Sequence, residues 1–184
     1  MDFSKFKTSD WLMIGGGAVM LICGLFLDWA SVGGVSGNNA FDYFFTGGIA
    51  WILVVAVGVI AFLLGGGMMK RDGLPWPLVL LAAAGLGALL MLLRLILGGG
   101  SESAYGFSID LDRAIGMYLS FIGAAAAAAG AFMNFTAAGG SMSDLTDMNK
   151  IKGQFGGNGG GSTPPPPPPP PGMTPPPPPP PPAG

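Results

Sequence analysis

The chain has 184 residues, half of them hydrophobic and only 10% charged, with a net charge of −2, no histidine and one cysteine. The charged share is far below the quarter usual in soluble domains, and no Lys/Arg run exceeds two residues, which excludes the basic footprint of a DNA- or RNA-binding protein. A lone Cys23 and the absence of histidine exclude a disulfide framework or a Cys/His zinc site within one chain.

The apolar residues before Gly139 fall in four blocks separated by short polar stretches, the pattern of lipid-facing helices and not of a soluble core. Nothing alternates with period two over ten residues, so a membrane barrel is excluded. The first block, Trp11 to Leu27, holds 17 residues and spans about 26 Å as a helix, marginal for a hydrocarbon core of about 30 Å. Thr8, Ser9 and Asp10 are candidate N-caps. Trp11 and Trp29 would mark the two membrane interfaces, and Cys23 reads as a small packing residue. The rival reading is a cleaved signal peptide, with Lys5 and Lys7 as its basic start and Ala30 near the cleavage point. The apolar run is longer than a usual signal core, and Asp28-Trp29 is a poor approach to such a site.

The loop from Asp28 to Thr46 is rich in Gly, Ser and Asn. Its cluster Phe41-Asp42-Tyr43-Phe44-Phe45 is placed on the bilayer surface or as a cap on the bundle. Block two, Ile49 to Met69, and block three, Trp76 to Leu97, flank Lys70-Arg71-Asp72-Gly73-Leu74-Pro75, whose Gly and Pro close one helix and open the next. Arg94 is the one charge embedded in an apolar block, and at the bilayer centre it would cost at least about 2.5 kcal/mol. It sits near the end of its span, so snorkelling or an ion pair with Asp28, Asp110 or Asp112 is expected, with a solute- or proton-handling role as the alternative. A second Gly/Ser-rich loop, Gly98 to Asp112, leads to block four, from Ala114 to Phe135, capped by Ser108 or Asp110 and followed by Gly139-Gly140.

In block four Gly116, Ser120, Ala124 and Ala128 recur every four residues beside a second row, Gly123, Ala127 and Ala131. In lipid such rows let helix backbones approach closely, so they are read as packing ridges within the chain or between copies. The glycine triplets at Gly15, Gly65 and Gly98 lack the strand and the Lys-Ser/Thr of a phosphate loop. No acid/base pair, nucleophilic triad or carboxylate cluster occurs in the apolar blocks, so no catalytic residue, cofactor or metal site is predicted.

Lys5 and Lys7 precede span one, Lys70 and Arg71 join spans two and three, and Lys150 and Lys152 follow span four. The loop from Asp28 to Thr46 has no Lys or Arg. By the positive-inside rule both termini are cytoplasmic, in the plasma (inner) membrane. Residues 139–152 read as a juxtamembrane segment, with Met142, Leu145, Met148 and Ile151 spaced for a short amphipathic helix or else a plain linker. From Gly153 the chain becomes Gly-rich and then carries two runs of eight prolines, Pro164 to Pro171 and Pro175 to Pro182. Each run would be a solvated polyproline II rod of about 25 Å. Such a tail cannot bury a core and is expected to be disordered, serving as a ligand for an aromatic-lined groove or as a spacer.

Ser9-Asp10-Trp11 and Leu27-Asp28-Trp29, with the four-span layout over residues 1 to 135 and the tail, resemble the small uncharacterised four-span membrane proteins of actinobacterial type. That resemblance implies a cell-envelope protein with no assigned activity and transfers no functional residue. The expected fold is an all-α four-helix transmembrane bundle with a disordered tail. The expected function is a non-enzymatic adaptor or accessory subunit recruiting a polyproline-reading protein, and the alternative is a transporter or channel subunit that forms a homo-oligomer through span four.

Overall fold

The computed structural model describes residues 4, 6–32, 35–36, 38–70, 73–104 and 107–155. Lys5, Arg71 and the proline runs bounded by Pro164, Pro171, Pro175 and Pro182 lie outside the described residues.

Four long helices dominate: α1 (Thr8–Phe26), α2 (Ile49–Gly65), α3 (Trp76–Leu97) and α4 (Ile115–Ala137). All four are long and apolar enough to cross a membrane, α2 when counted with the π-turn Phe44–Gly48 that leads into it. They pack in a ring in which α1 touches α2 and α4, and α3 touches α2 and α4. The interior holds Met13, Met20, Val54, Val57, Leu80, Met91 and Met117, with Ala84, Ala124, Ala127 and Ala131 filling where backbones come close. The outward faces are apolar as well, presenting Ile22, Phe26, Ile52, Val59, Leu89, Ile96 and Ile122. A soluble monomer rarely leaves so continuous an apolar surface uncovered.

The α1–α4 seam explains the small residues of block four. A Cβ on Gly116 would strike Leu27 and Asp28, one on Gly123 would strike Gly16 and Val19, and one on Gly130 would strike Ser9, Leu12 and Met13. Rising residue numbers on α4 meet falling numbers on α1, so the two helices run antiparallel. Gly17, one residue round the helix from Gly16, faces α2 instead, where it lies against Gly58. Side chains of zero size thus let α1 approach two neighbours at once, and dispersion between the close backbones contributes to the seam.

Several boundaries and caps differ from the sequence reading. Helix α1 begins at Thr8, with Lys7 as its N-cap and Asp10 accepting the Lys7 backbone N–H at 3.0 Å. Thr8, Ser9 and Asp10 therefore form its first turn, and Asp10 caps the helix start from the third helical position instead of as the N-cap residue. Helix α2 ends at Gly65, four residues before Met69. Neither Ser108 nor Asp110 caps α4. The N-cap is Ala114, whose N–H donates to Trp29 O at 3.0 Å, while Gly116 N–H donates to Asp28 O at 3.1 Å. The first loop thereby satisfies donors that the helix start leaves free. Beyond α4, Gly139 takes a left-handed φ of 88°, and Gly140 N–H donates to Phe135 O at 3.1 Å, closing the helix as glycine termini do.

The two loops at the opposite end are not irregular throughout. Strand β1 (Ala30–Val32) pairs antiparallel with β2 (Val35–Ser36) and with β5 (Asp112–Arg113), and β3 (Ser101–Ala104) pairs with β4 (Phe107–Asp110). The β1–β5 pairing ties the first loop to the second. After α4 come a 3-10 turn, Met142–Leu145, and a short helix α5, Met148–Phe155. An open apolar cleft separates α5 from α3, lined by Leu78, Val79, Leu86, Leu145, Ile151 and Phe155.

Candidate functional site: an arginine clamp on the third helix

The last carbonyls of α3 have no partners within the helix, and two arginines gather there. Arg113 of β5 donates from Nε to Leu95 O at 2.9 Å and from Nη2 to Ile96 O at 3.3 Å. Arg94 is only 8% exposed and folds over the helix end, donating from Nη2 to Gly99 O at 2.8 Å. Its guanidinium carbon lies 3.3 Å above the centre of the Tyr43 ring, and the Tyr43 hydroxyl donates to the same Gly99 carbonyl. Gly98 and Gly100 have φ of 84° and 90°, a left-handed backbone that glycine adopts without strain, and this turns the chain back beneath both arginines.

The electrostatics follow from these neighbours. Arg94 makes no ion pair with Asp28, Asp110 or Asp112, because among the described residues the one ion pair joins Lys150 to Asp144. It does not snorkel either, since it is buried. Its charge is stabilised by the negative C-terminal end of α3, by the π face of Tyr43 and by the Gly99 carbonyl. Its Nε remains buried without a partner. Asp110 and Asp112 instead line an open polar cleft with Ser101 and Arg113, of about 370 Å³, and Asp28 serves through its backbone at the start of α4.

Comparison with protein-family models, with curated proteins and with solved structures gives no match. The site is therefore read from its own chemistry. A planar cation is stacked on an aromatic ring and a carbonyl takes two donors, an arrangement that fixes the first loop to the second. Nothing in it offers a carboxylate base or a nucleophile beside the guanidinium. Among the described residues no three His, Cys, Asp or Glu side chains are placed to share a metal ion.

Tyr43 divides the aromatic cluster of the first loop: it turns inward to Arg94, whereas Phe44 and Phe45 remain exposed and Phe41 packs on Trp51 with ring centres 5.2 Å apart. Trp29 is not an interface residue. It is fully buried, donates from Nε1 to Cys23 O at 3.1 Å, and presses on Gly47. Trp11, half exposed, keeps its place on the outer surface.

Of the block-four residues, Gly116, Ser120 and Ala124 are buried inside the chain and Ala128 is half-buried against the core that contains Met13. Ser120 Oγ is buried without a partner. Two site residues escaped the sequence reading. Tyr43 was grouped with its apolar neighbours, although a hydroxyl amid phenylalanines is the expected signal of a buried polar tip. Asp10 does accept the N-cap N–H, but its burial at 5% exposure is not evident from a polar residue at a helix start.

Proposed function

We propose that the chain is a non-enzymatic integral membrane protein of the plasma (inner) membrane, a four-span bundle with both termini in the cytoplasm, acting as an adaptor whose polyproline tail recruits a soluble partner. The observation that carries the membrane part is the doubly apolar character of the four helices, inside and outside the bundle alike. Orientation is supported by charge. Lys7, Lys70, Lys150 and Lys152 flank the ends of the helices where the chain enters and leaves, while at the other end Arg94 and Arg113 are committed to carbonyls of the chain itself.

The recruiting role is supported by the sequence of the tail. Two rods of eight prolines each lose little entropy on docking into an aromatic groove, and two copies permit bivalent binding. A transporter or channel subunit that oligomerises through α4 has less support, because Gly116, Ser120 and Ala124 are already covered within the chain. The test is a pull-down from detergent extract with the full chain and with a chain ending at Gly161. A soluble protein retained by the first and lost by the second supports recruitment. Identical retained proteins would reduce the tail to a spacer and end the adaptor reading.

A further inference from the structure

At the end of the bundle where α1 begins and α4 ends, a cavity of about 60 Å³ opens among all four helices, lined by Asp10, Met13, Leu64, Trp76, Leu80 and Asn134. Three observations there are unexplained by packing. The Asp10 carboxylate is only 5% exposed and accepts the Lys7 backbone N–H, and among the described residues no cationic side chain lies within ion-pair distance of it. The indole Nε1 of Trp76 is buried without an acceptor. The Asn134 amide, which can both donate and accept, lines the same space.

The Lys7 N–H and the positive N-terminal end of α1 stabilise this carboxylate in part, and buried charges are otherwise paired or bind ions. The apolar walls Met13, Leu64 and Leu80 strengthen whatever pairs with it.

We propose that this cavity binds a primary ammonium group, and that its source is the headgroup of an ethanolamine phospholipid. The ammonium supplies the charge that Asp10 lacks, and its donors suit the Asp10 and Asn134 oxygens. The Trp76 ring offers a π face to the cation. Donor chemistry discriminates as well, because a trimethylammonium has no proton to give to the Asp10 and Asn134 oxygens. The site lies where the bundle meets the headgroup layer, so this inference rests on the membrane reading above.

The experiment is native mass spectrometry of the purified full chain in micelles supplied with equimolar phosphatidylethanolamine, phosphatidylcholine and phosphatidylglycerol of identical acyl chains. The ethanolamine lipid is expected to be retained about tenfold over each of the others, the ratio for one charge-assisted hydrogen bond. Asp10→Asn keeps an oxygen for the Lys7 N–H and is expected to abolish the preference; Trp76→Phe, which leaves the charge in place, is expected to reduce it several-fold. Circular dichroism of both variants shows that the helices persist. Equal retention of ethanolamine and choline lipids by the natural chain, or an unchanged preference in Asp10→Asn, overturns the proposal. Displacement of the lipid by millimolar free ethanolamine or sodium overturns the lipid source. Failure of the membrane reading looks different: the chain would stay in the supernatant after ultracentrifugation without detergent.

Discussion

Adjacent glycines in α1 give a matched pair of perturbations. Gly15 points into open space, with nothing within 4 Å of a built Cβ, whereas a Cβ on Gly16 would lie 2.7 Å from the Ala127 amide nitrogen and 2.9 Å from the Ala127 Cβ. Ordinary contact begins near 3.4 Å, so Gly16→Ala must part α1 from α4 by roughly 0.7 Å or more. Gaps of about 0.5–1 Å forfeit a quarter to a half of each dispersion contact along a seam, and overpacking of this kind costs about 1–3 kcal/mol. Against that stands the helix preference of alanine over glycine, about 0.5–1 kcal/mol, which Gly15→Ala gains without the clash. The net expectation for Gly16→Ala is a loss of about 1–2 kcal/mol, or about 2–8 °C in Tm for a chain of this size. Gly15→Ala should hold or raise Tm. The assay is thermal unfolding in a mild detergent, followed by far-ultraviolet circular dichroism. A Gly16→Ala variant as stable as Gly15→Ala would refute the close α1–α4 approach and the seam built on it.

The clamp, the buried indole and the juxtamembrane pair make three further predictions. Arg94→Lys loses the planar stack on Tyr43 and should lower Tm by the equivalent of about 0.5–2 kcal/mol, while Arg94→Met, which removes the buried charge and keeps the stem, should cost less; the reverse order would mean that the Gly99 carbonyl and the helix end, not the ring, carry most of the stabilisation. Trp29→Phe removes the indole donor to the Cys23 carbonyl and opens a void, for a loss of about 1–3 kcal/mol, whereas Trp11→Phe at the outer surface should stay within about 0.5 kcal/mol, both read as Tm in detergent. Lys150 Nζ lies 2.7 Å from Asp144 Oδ1, and its hydrogen bond, with those from Ser141, lowers the Asp144 pKa from 3.8 to about 2, while Lys150 itself is raised above 10.5 by the same partner. A depressed carboxyl stabilises the turn above 3.8 and loses that contribution as pH falls towards 2; a raised amine keeps its contribution below 10.5 and loses it above. Carbonyl-carbon NMR should therefore find Asp144 titrating near 2 in the natural chain and closer to 3.8 in Lys150→Met, and an unchanged value in the variant would disprove the pairing.

The helices were legible because a run such as Trp76 to Leu97 admits few other structures: 22 residues of such hydropathy are a helix in lipid or a core too large for this chain. The small residues of block four announced close packing through their spacing, but not the neighbour they pack on. Choosing α1 depends on Gly16 and Gly17 facing two different helices, which one residue of rotation decides. The loop strands were invisible because pieces of two to four residues carry no measurable period. Trp29 and Arg94 were misplaced for a common reason. Both follow rules for side chains that meet lipid or water, and in both the loops fold back and cover them, a tertiary effect that local sequence does not encode. Asp10 likewise reads as an ordinary helix start, and only the walls from α2, α3 and α4 make it a buried carboxylate.

The most extensive helix contact joins α1 to α4, the spans farthest apart along the chain. In the membrane architecture proposed above, the first span therefore waits in the bilayer during synthesis, its Gly16 face uncovered, until the fourth has left the ribosome. Any product that stops after α3 would present that bare stripe to quality-control proteases, so nascent chains of this protein should be short-lived until residue 137 is inserted.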